Sequence, residues 1–432
     1  MNEQDAQSPA AGKPRLNRPK RMQPDPNPKL IDDLVPRDHI VRTVWSLVEK
    51  LDFAPLYVQI KAVEGHAGRP PVDPMLLTAL WVYATIEGIA SARFLEKRCY
   101  DCDPYKWLRG GVDVGYHILS DFRTNQKDWL EQQVVGLVAT MRAEGLIDLD
   151  QIGQDGLRIR ASAGSGSFKK EEKLNALLDE AQQRWDQLQA EFADESDVSR
   201  REQEAQERAA RERLERLQHA KQEVQKLQAA REARKKGDGE QARASTTDPE
   251  ARRMKMPDGG FRPGYNAQFA TTLDKLVIVG VDVTNAGTDG GQMGPMVERI
   301  NAQQGELPDQ YYTDGGFSTK DDIEEVGARG VTVFTPVKEA ERQEKEGKDP
   351  YAPRSGEGPI LTQWRQRMGT EEGKQKYKQR SKCEWSNAQV RNRGLYRVLV
   401  RGLEKVKAVV LWHALTNNLL RMVALRAQRS IG

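Results

Sequence analysis

Sulfur and aromatic rings are both scarce in this chain. Its 432 residues include 3 cysteines, too few and too scattered for a disulfide framework. Cys99 and Cys102 form a CxxC, but no second ligand pair lies nearby, so two ordinary thiols is the better reading than half of a zinc site. Phe, Trp and Tyr together make up 6% of the chain. No apolar run reaches the roughly eighteen residues of a membrane span, and residues 1–30 lack the apolar stretch of a secretory signal. That opening segment is basic and rich in proline, which predicts a disordered arm on a cytoplasmic protein with no membrane partner. Net charge is also small, +3 with 30% of residues charged; this balance predicts solubility and points to no partner until the signs are seen to segregate. They do segregate. From Lys374 onward there are fourteen Lys or Arg residues and two acids, Glu384 and Glu404.

The length exceeds one ordinary domain. Residues 31–148 carry apolar positions at three- and four-residue spacing behind Asp or Ser cap candidates, which predicts an all-α N-terminal domain. Tight Gly-containing turns suit a helix-turn-helix-like DNA-binding unit, and a plain helical scaffold fits equally well. From 149 to 432 the pattern is α/β. "LDQIGQDGLRIRAS" alternates as a half-buried strand. Residues 168–250 then interrupt it, with a stripe of Leu174, Leu177, Leu178, Ala181, Trp185, Leu188 and Phe192 and a second of Leu214, Leu217, Val224 and Leu227. Split by "ADESDVS", these predict two long helices folded back as a hairpin. "GYNAQFATT" and "KLVIVGVDVTN", joined by "LDK", read as a β-hairpin. Alternating helices and strands follow as far as "VTVFTPV", so the sheet is expected to be mixed.

Three carboxylates stand out within this order. Asp155 lies in the first strand before Gly156, whose missing side chain would admit a ligand or another backbone. Asp314 ends the fourth main strand, where such a sheet opens its ligand crevice. Taken singly, an Asp before Gly is more often a turn former. Strands one and four are neighbours in a β-β-β-α-β-α-β-α order, however, and the following helix, carrying Glu384, crosses their face. Three converging oxygen ligands without a His or Cys cluster suit Mg²⁺ or Mn²⁺. Two such ions, about 3.5–4 Å apart, serve in-line displacement at phosphorus.

The segments "QDGLRIRASAG", "GYNAQFATTLDKLVIVGVDVTNAGTD", "YYTDGGFS" and "RGLEKVKAVVLWHALTNNLLRM" resemble the DDE transposases of bacterial insertion sequences, nearest to the IS eleven-eighty-two group. The N-terminal "SARFLEKRC" and "LSDFRTNQ" resemble that family's helical domain, and the likeness runs from about Asp32 to Val423. It implies an RNase H-like catalytic core, with Asp155, Asp314 and Glu384 as catalytic metal ligands for Mg²⁺ or Mn²⁺. It also implies cleavage at transposon ends and transfer of the freed 3′-hydroxyl into target DNA by a homodimer. Tyr377, Arg380, Glu384 and Arg391 match a signature of Tyr, Arg, Glu and Lys, with Arg391 in the Lys position, which trades a point charge for a fork. Leu157 stands where relatives often have Thr, and Phe317 where they often have Tyr. The segment before the last helix has no Cys and no expected zinc.

Spacings of three, four and seven would put residues 377, 380, 384 and 391 on one helical face. Arg380 and Arg391 would then meet phosphates beside Glu384, with Arg158, Arg160 and Lys338 adding salt-sensitive contacts. Trp385 reads either as a base-stacking platform or as a core side chain. Another RNase H-like nuclease, such as a junction resolvase, and a non-catalytic DNA-binding derivative are the rival readings.

Overall fold

A computed structural model describes residues 30–60, 71–193 and 199–431. The expected arm, apart from Leu30, and the turn of the expected helical hairpin lie outside the described residues. The N-terminal helices are α1 (Ile40–Val48), α2 (Ala54–Tyr57), α3 (Pro74–Ile86), α4 (Ala92–Asp101), α5 (Asp103–Arg109), α6 (Tyr116–Asn125) and α7 (Lys127–Ala143). Their starts follow from capping chemistry. Asp73 accepts from Met75 N–H with Pro74 at the first helical position, and Ser91 accepts from Phe94 N–H. Helix α3 is buried on nearly every side, and its Thr78 and Thr85 hydroxyls are satisfied by Pro74 O (2.8 Å) and Trp81 O (2.7 Å).

Strand β1 (Gln151–Arg160) leads through a short strand β2 (Phe168–Lys169) into helices α8 (Glu171–Ala193) and α9 (Arg200–Arg234), and the chain returns through β3 (Ala244–Ser245), paired with β2. The two helices pack on each other as expected, around Leu174, Ala181, Leu217 and Val224. Next come β4 (Arg252–Lys255), β5 (Phe261–Thr272), β6 (Ile278–Thr284), α10 (Met293–Gln304), β7 (Gln310–Tyr312), α11 (Lys320–Ala328) and β8 (Thr332–Phe334). The sheet runs β4-β5-β1-β7-β8, with β6 also paired to β5. The β1–β5 and β5–β6 ladders are antiparallel, and β1–β7 and β7–β8 are parallel, so the sheet is mixed and the first strand lies beside the one preceding Asp314. Edge strand β4 was not anticipated, because "RRMK" has little of the β-branched or aromatic character that marks a strand.

After β8 come α12 (Ala340–Lys345), α13 (Pro359–Gly369), α14 (Glu371–Tyr377), a 3₁₀ turn (Lys378–Lys382), α15 (Cys383–Asn392) and α16 (Leu403–Ile431). The expected uninterrupted helix through Tyr377, Arg380, Glu384 and Arg391 is therefore broken. The tighter 3₁₀ winding resets the helical phase between Tyr377 and Glu384, and the Cys383 thiol donates to Arg380 O (2.9 Å) at the junction. The break lets α15 descend on β1 at Gly153, where a Cβ would meet Leu273 Cδ2 at 2.7 Å and Cys383 Cβ at 3.0 Å.

Helix α16 is long and apolar enough to cross a membrane by length and composition, yet it is an interior helix, packed against α3, α6, α7 and β6. It joins the N-terminal helices and the sheet in one continuous core. Asn418 completes the seam: its Oδ1 accepts from Ile278 N–H (3.0 Å) and its Nδ2 donates to Ile278 O (2.7 Å). Asn418→Leu leaves both backbone groups buried and unpaired, and should lower unfolding stability by about 1–3 kcal/mol in urea titrations.

Candidate active site

The site begins with strand alternation. Asp155 pairs across the ladder with Phe269 and projects on the face covered by α15, whereas Gly156 and Arg158 belong to the opposite face. Asp155 Oδ1 accepts from Gly156 N–H (2.9 Å), and Oδ2 accepts from Asn387 Nδ2 of α15 (2.7 Å). Asp314 follows β7, and its Oδ1 accepts from Gly316 N–H (2.7 Å) while its carbonyl accepts from Thr335 Oγ1 (3.0 Å). Because β7 lies parallel beside β1, the two carboxylates emerge from adjacent strands. Burial pushes the Asp155 carboxyl up to about 6 and the negative charge of Asp314 adds to the rise, against Arg380 and the Asn387 hydrogen bond.

Glu384, at the start of α15, is exposed and held by a cation. Its side chain is 56% exposed and forms an ion pair with Arg380, one turn earlier. Among the described residues no group of three His, Cys, Asp or Glu side chains is arranged to hold a metal ion. All three carboxylates nevertheless act on one buried group, the Cys383 thiol. Burial pushes that thiol up to about 12, followed in effect by Asp155, with Glu384 and Asp314 adding and Arg380 opposing. Tyr377 is half-buried, its phenol raised by burial, with Arg380 and Asp314 both acting on it.

The other expected phosphate contacts divide. Arg160 at the end of β1, Lys338 and Arg391 are exposed. Arg158 is committed elsewhere, with its Nη2 2.8 Å from Asp289 Oδ2. Trp385 is partly buried, and the Arg421 guanidinium lies 5.3 Å from its ring centroid. Cys99 and Cys102 are free thiols.

Two residues that sequence reasoning passed over are central to this geometry. Asn387 is 7% exposed; it donates to Asp155 while its own Oδ1 is buried without a partner. It is three residues beyond Glu384 on α15, a spacing that could have flagged it as sharing that residue's face. The second is Asp289, 6% exposed, on the opposite side of β1. Its Oδ1 accepts from Asn266 Nδ2 (2.6 Å) and Gln268 Nε2 (2.9 Å). A Cβ at Gly156 would lie 2.3 Å from this oxygen, so the close approach expected at Gly156 is made by the Asp289 carboxylate and not by a ligand or a backbone. Gln154 and Tyr311 extend the same polar layer through Gln268.

Residues 237–419 match the family model described as the transposase DDE domain, and residues 29–125 match the transposase domain (DUF772). The chain belongs to the bacterial insertion-sequence DDE transposases. Asp314 and Glu384 fall inside the matched DDE segment of this transposase, while Asp155 lies between the two matched segments. No curated protein and no solved structure matches it.

In this transposase Asp155 resists ionisation in the fold but not in the unfolded chain. Its contribution to stability is therefore greatest below about pH 4 and is lost as pH rises toward 6. In metal-free buffer at about pH 7.5, Asp155→Asn should unfold later than wild type, by an amount on the order of 2 kcal/mol. The gap should close below about pH 4 in thermal unfolding followed by circular dichroism.

Proposed function

We propose that this transposase cuts DNA at the ends of its element and joins the freed 3′-hydroxyl to target DNA, using one acid centre formed by Asp155, Asp314 and Glu384. The observation that carries the reading is the pair of aspartates on adjacent strands, with the first held at a raised pKa by burial and by the second. Two carboxylates on adjacent strands, the first bound by the Asn387 amide of α15, form a donor set that a hard divalent cation would relieve, and the unpartnered Asn387 Oδ1 adds a neutral oxygen beside Asp155. Asp155 and Asp314 would hold Mg²⁺ or Mn²⁺, with Glu384 joining once it releases Arg380. When bound, one or two such ions supply Lewis-acid polarisation of the scissile phosphodiester.

The chain's own residues provide the rest. Asn387 orients the Asp155 carboxylate through a 2.7 Å hydrogen bond. Arg380 and the exposed Arg391 flank Glu384 on the chain and bring cations to the DNA backbone. Water cleaves the phosphodiester at the element's end, and the 3′-hydroxyl so released displaces a target phosphodiester at the same centre, with no covalent bond between protein and DNA. The order of strands around β1, with β5 antiparallel on one side and β7 parallel on the other, supports an RNase H-like core interrupted by the α8–α9 hairpin. The N-terminal helices and the basic arm are the proposed readers of the terminal repeats, and two element ends call for a homodimer. Membership of the IS eleven-eighty-two group rests on the quoted motifs.

Alanine at Asp155, Asp314 or Glu384 should reduce cleavage of labelled end DNA in Mg²⁺ by at least about a hundredfold, because each removes a ligand oxygen, while duplex affinity stays near wild type. Normal cleavage by any one of them removes that residue from the centre. Cutting without joined products would favour a simple nuclease.

A further inference from the structure

The N-terminal helices contain a buried cation without a counter-charge. Arg123 on α6 is 6% exposed. Its guanidinium lies over the Trp81 ring, 4.5 Å from the centroid, and Nη1 donates to Ala90 O; Nε is buried without a partner, and the side chain makes no ion pair among the described residues. Its neighbours offer no compensation. His413 of α16 is kept neutral, pushed down to about 3 by burial and then by Arg123 and Arg393. Arg393 donates to Asn417 Oδ1 (3.2 Å), so this cluster has cations and amides but no acid. A charge buried in this way is costly unless something outside the chain answers it.

An opening in front of Arg123 supplies the place. A cleft of about 370 Å³ is lined by Ser91, which caps α4, by Arg93 in its first turn and by Ser120, Arg123 and Thr124 on α6, and it extends to Leu399 and Val400 before α16. No carboxylate lines it. The positive end of α4, a helix of ten residues, opens into it. Arg93 is exposed and held in place by stacking on Tyr116, 4.9 Å to the centroid. On the chain, the exposed Arg397, Arg401 and Lys405 lie on either side of the cleft residues Leu399 and Val400 and make no ion pair among the described residues.

We propose that this cleft binds one backbone phosphate of duplex DNA, between Arg123, the start of α4 and the hydroxyls of α6. A guanidinium, a helix N-terminus and Ser or Thr hydroxyls are the groups that grip phosphate without reading sequence. The cations flanking these cleft residues on the chain favour a polyanion over a free anion, because a lone phosphate would leave them unused. The site uses no residue of the acid centre. Both the N-terminal helices and the segment entering α16 line it, so one phosphate would fix the duplex against both. The inference rests on the reading of this chain as a DNA-binding transposase.

The test uses the full chain with Ser120→Asp, which brings a carboxylate to the exposed rim of the cleft, and Ser120→Asn as the uncharged control. Binding of a labelled mixed-sequence duplex is followed by fluorescence anisotropy over a range of KCl, and melting is compared in chloride and in inorganic phosphate at equal ionic strength. Ser120→Asp should bind duplex roughly tenfold more weakly, with the slope of log affinity against log salt reduced by about 0.9, the share of one phosphate. It should also melt higher than wild type in chloride, since Arg123 gains a partner, and lose the protection that inorganic phosphate gives wild type. Ser120→Asn, which exchanges the hydroxyl for a neutral amide donor, should leave the slope unchanged and weaken binding by a few-fold at most. Unchanged duplex affinity and slope in Ser120→Asp overturn the proposal, and so does an equal loss in Ser120→Asn. Phosphate protection with unaltered duplex binding marks a small-anion pocket and overturns it too. Failure of wild type to bind duplex at all defeats the transposase reading as well, which separates the two.

Discussion

The pairing of β1 with β5 is the constraint on which the rest depends. The two strands run antiparallel from Ile152 opposite Thr272 to Arg160 opposite Gly264, and side chains alternate between faces with a period of two. A slip of one residue would turn Asp155 into the polar layer around Asp289 and present Gly156 to α15. The register therefore decides which acid meets Asp314 and which is sealed away. It also sets Gly153 under Cys383, the close contact that seats α15, and through α15 the positions of Asn387 and Glu384.

Acids in this molecule are treated in contrasting ways. Glu357 takes two hydrogen bonds from Arg365 (2.7 and 2.8 Å), which pull its carboxyl down to about 2 and fasten the connection before α13. Asp289 is matched by Arg158 and two amides. Glu223 is joined to Arg252 at the root of the α8–α9 hairpin. Each of these is compensated within the chain. Asp155 has two neutral donors, the Asn387 amide and the Gly156 N–H, and a like charge acting on it, with no ion pair of its own among the described residues, the state that the proposed cation would relieve. Arg123 shows the same asymmetry with the opposite sign.

The sheet was legible because its central strands alternate cleanly and its turns are punctuated by Gly, Asp and Asn. The two long helices were legible from their leucine stripes. Edge strand β4 escaped because four residues of Arg, Met and Lys carry no strand signature, and the 3₁₀ turn at 378–382 escaped because no Gly or Pro marks it. The aspartates could be picked out by position. The side-chain directions could not, since the partner of Glu384 is decided by a local ion pair that forms within one helical turn. Asn387 and Asp289 were overlooked for a related reason. Spacing singles out residues at strand ends and in known signatures, whereas an amide that orients a carboxylate is recognised only once two distant segments are brought together.

The α8–α9 hairpin leaves after β1 and returns before β4, entering and exiting through the paired β2 and β3. Its buried side chains form a core of their own, separate from the one that unites the helices and the sheet. Its root is tied down by the Glu223–Arg252 ion pair and by Arg216 Nε donating to Thr246 O (3.2 Å). An appendage with a private core and a narrow stem is modular: its length can drift over evolutionary time without disturbing the strand register, so the arm and the chemistry are free to evolve at different rates.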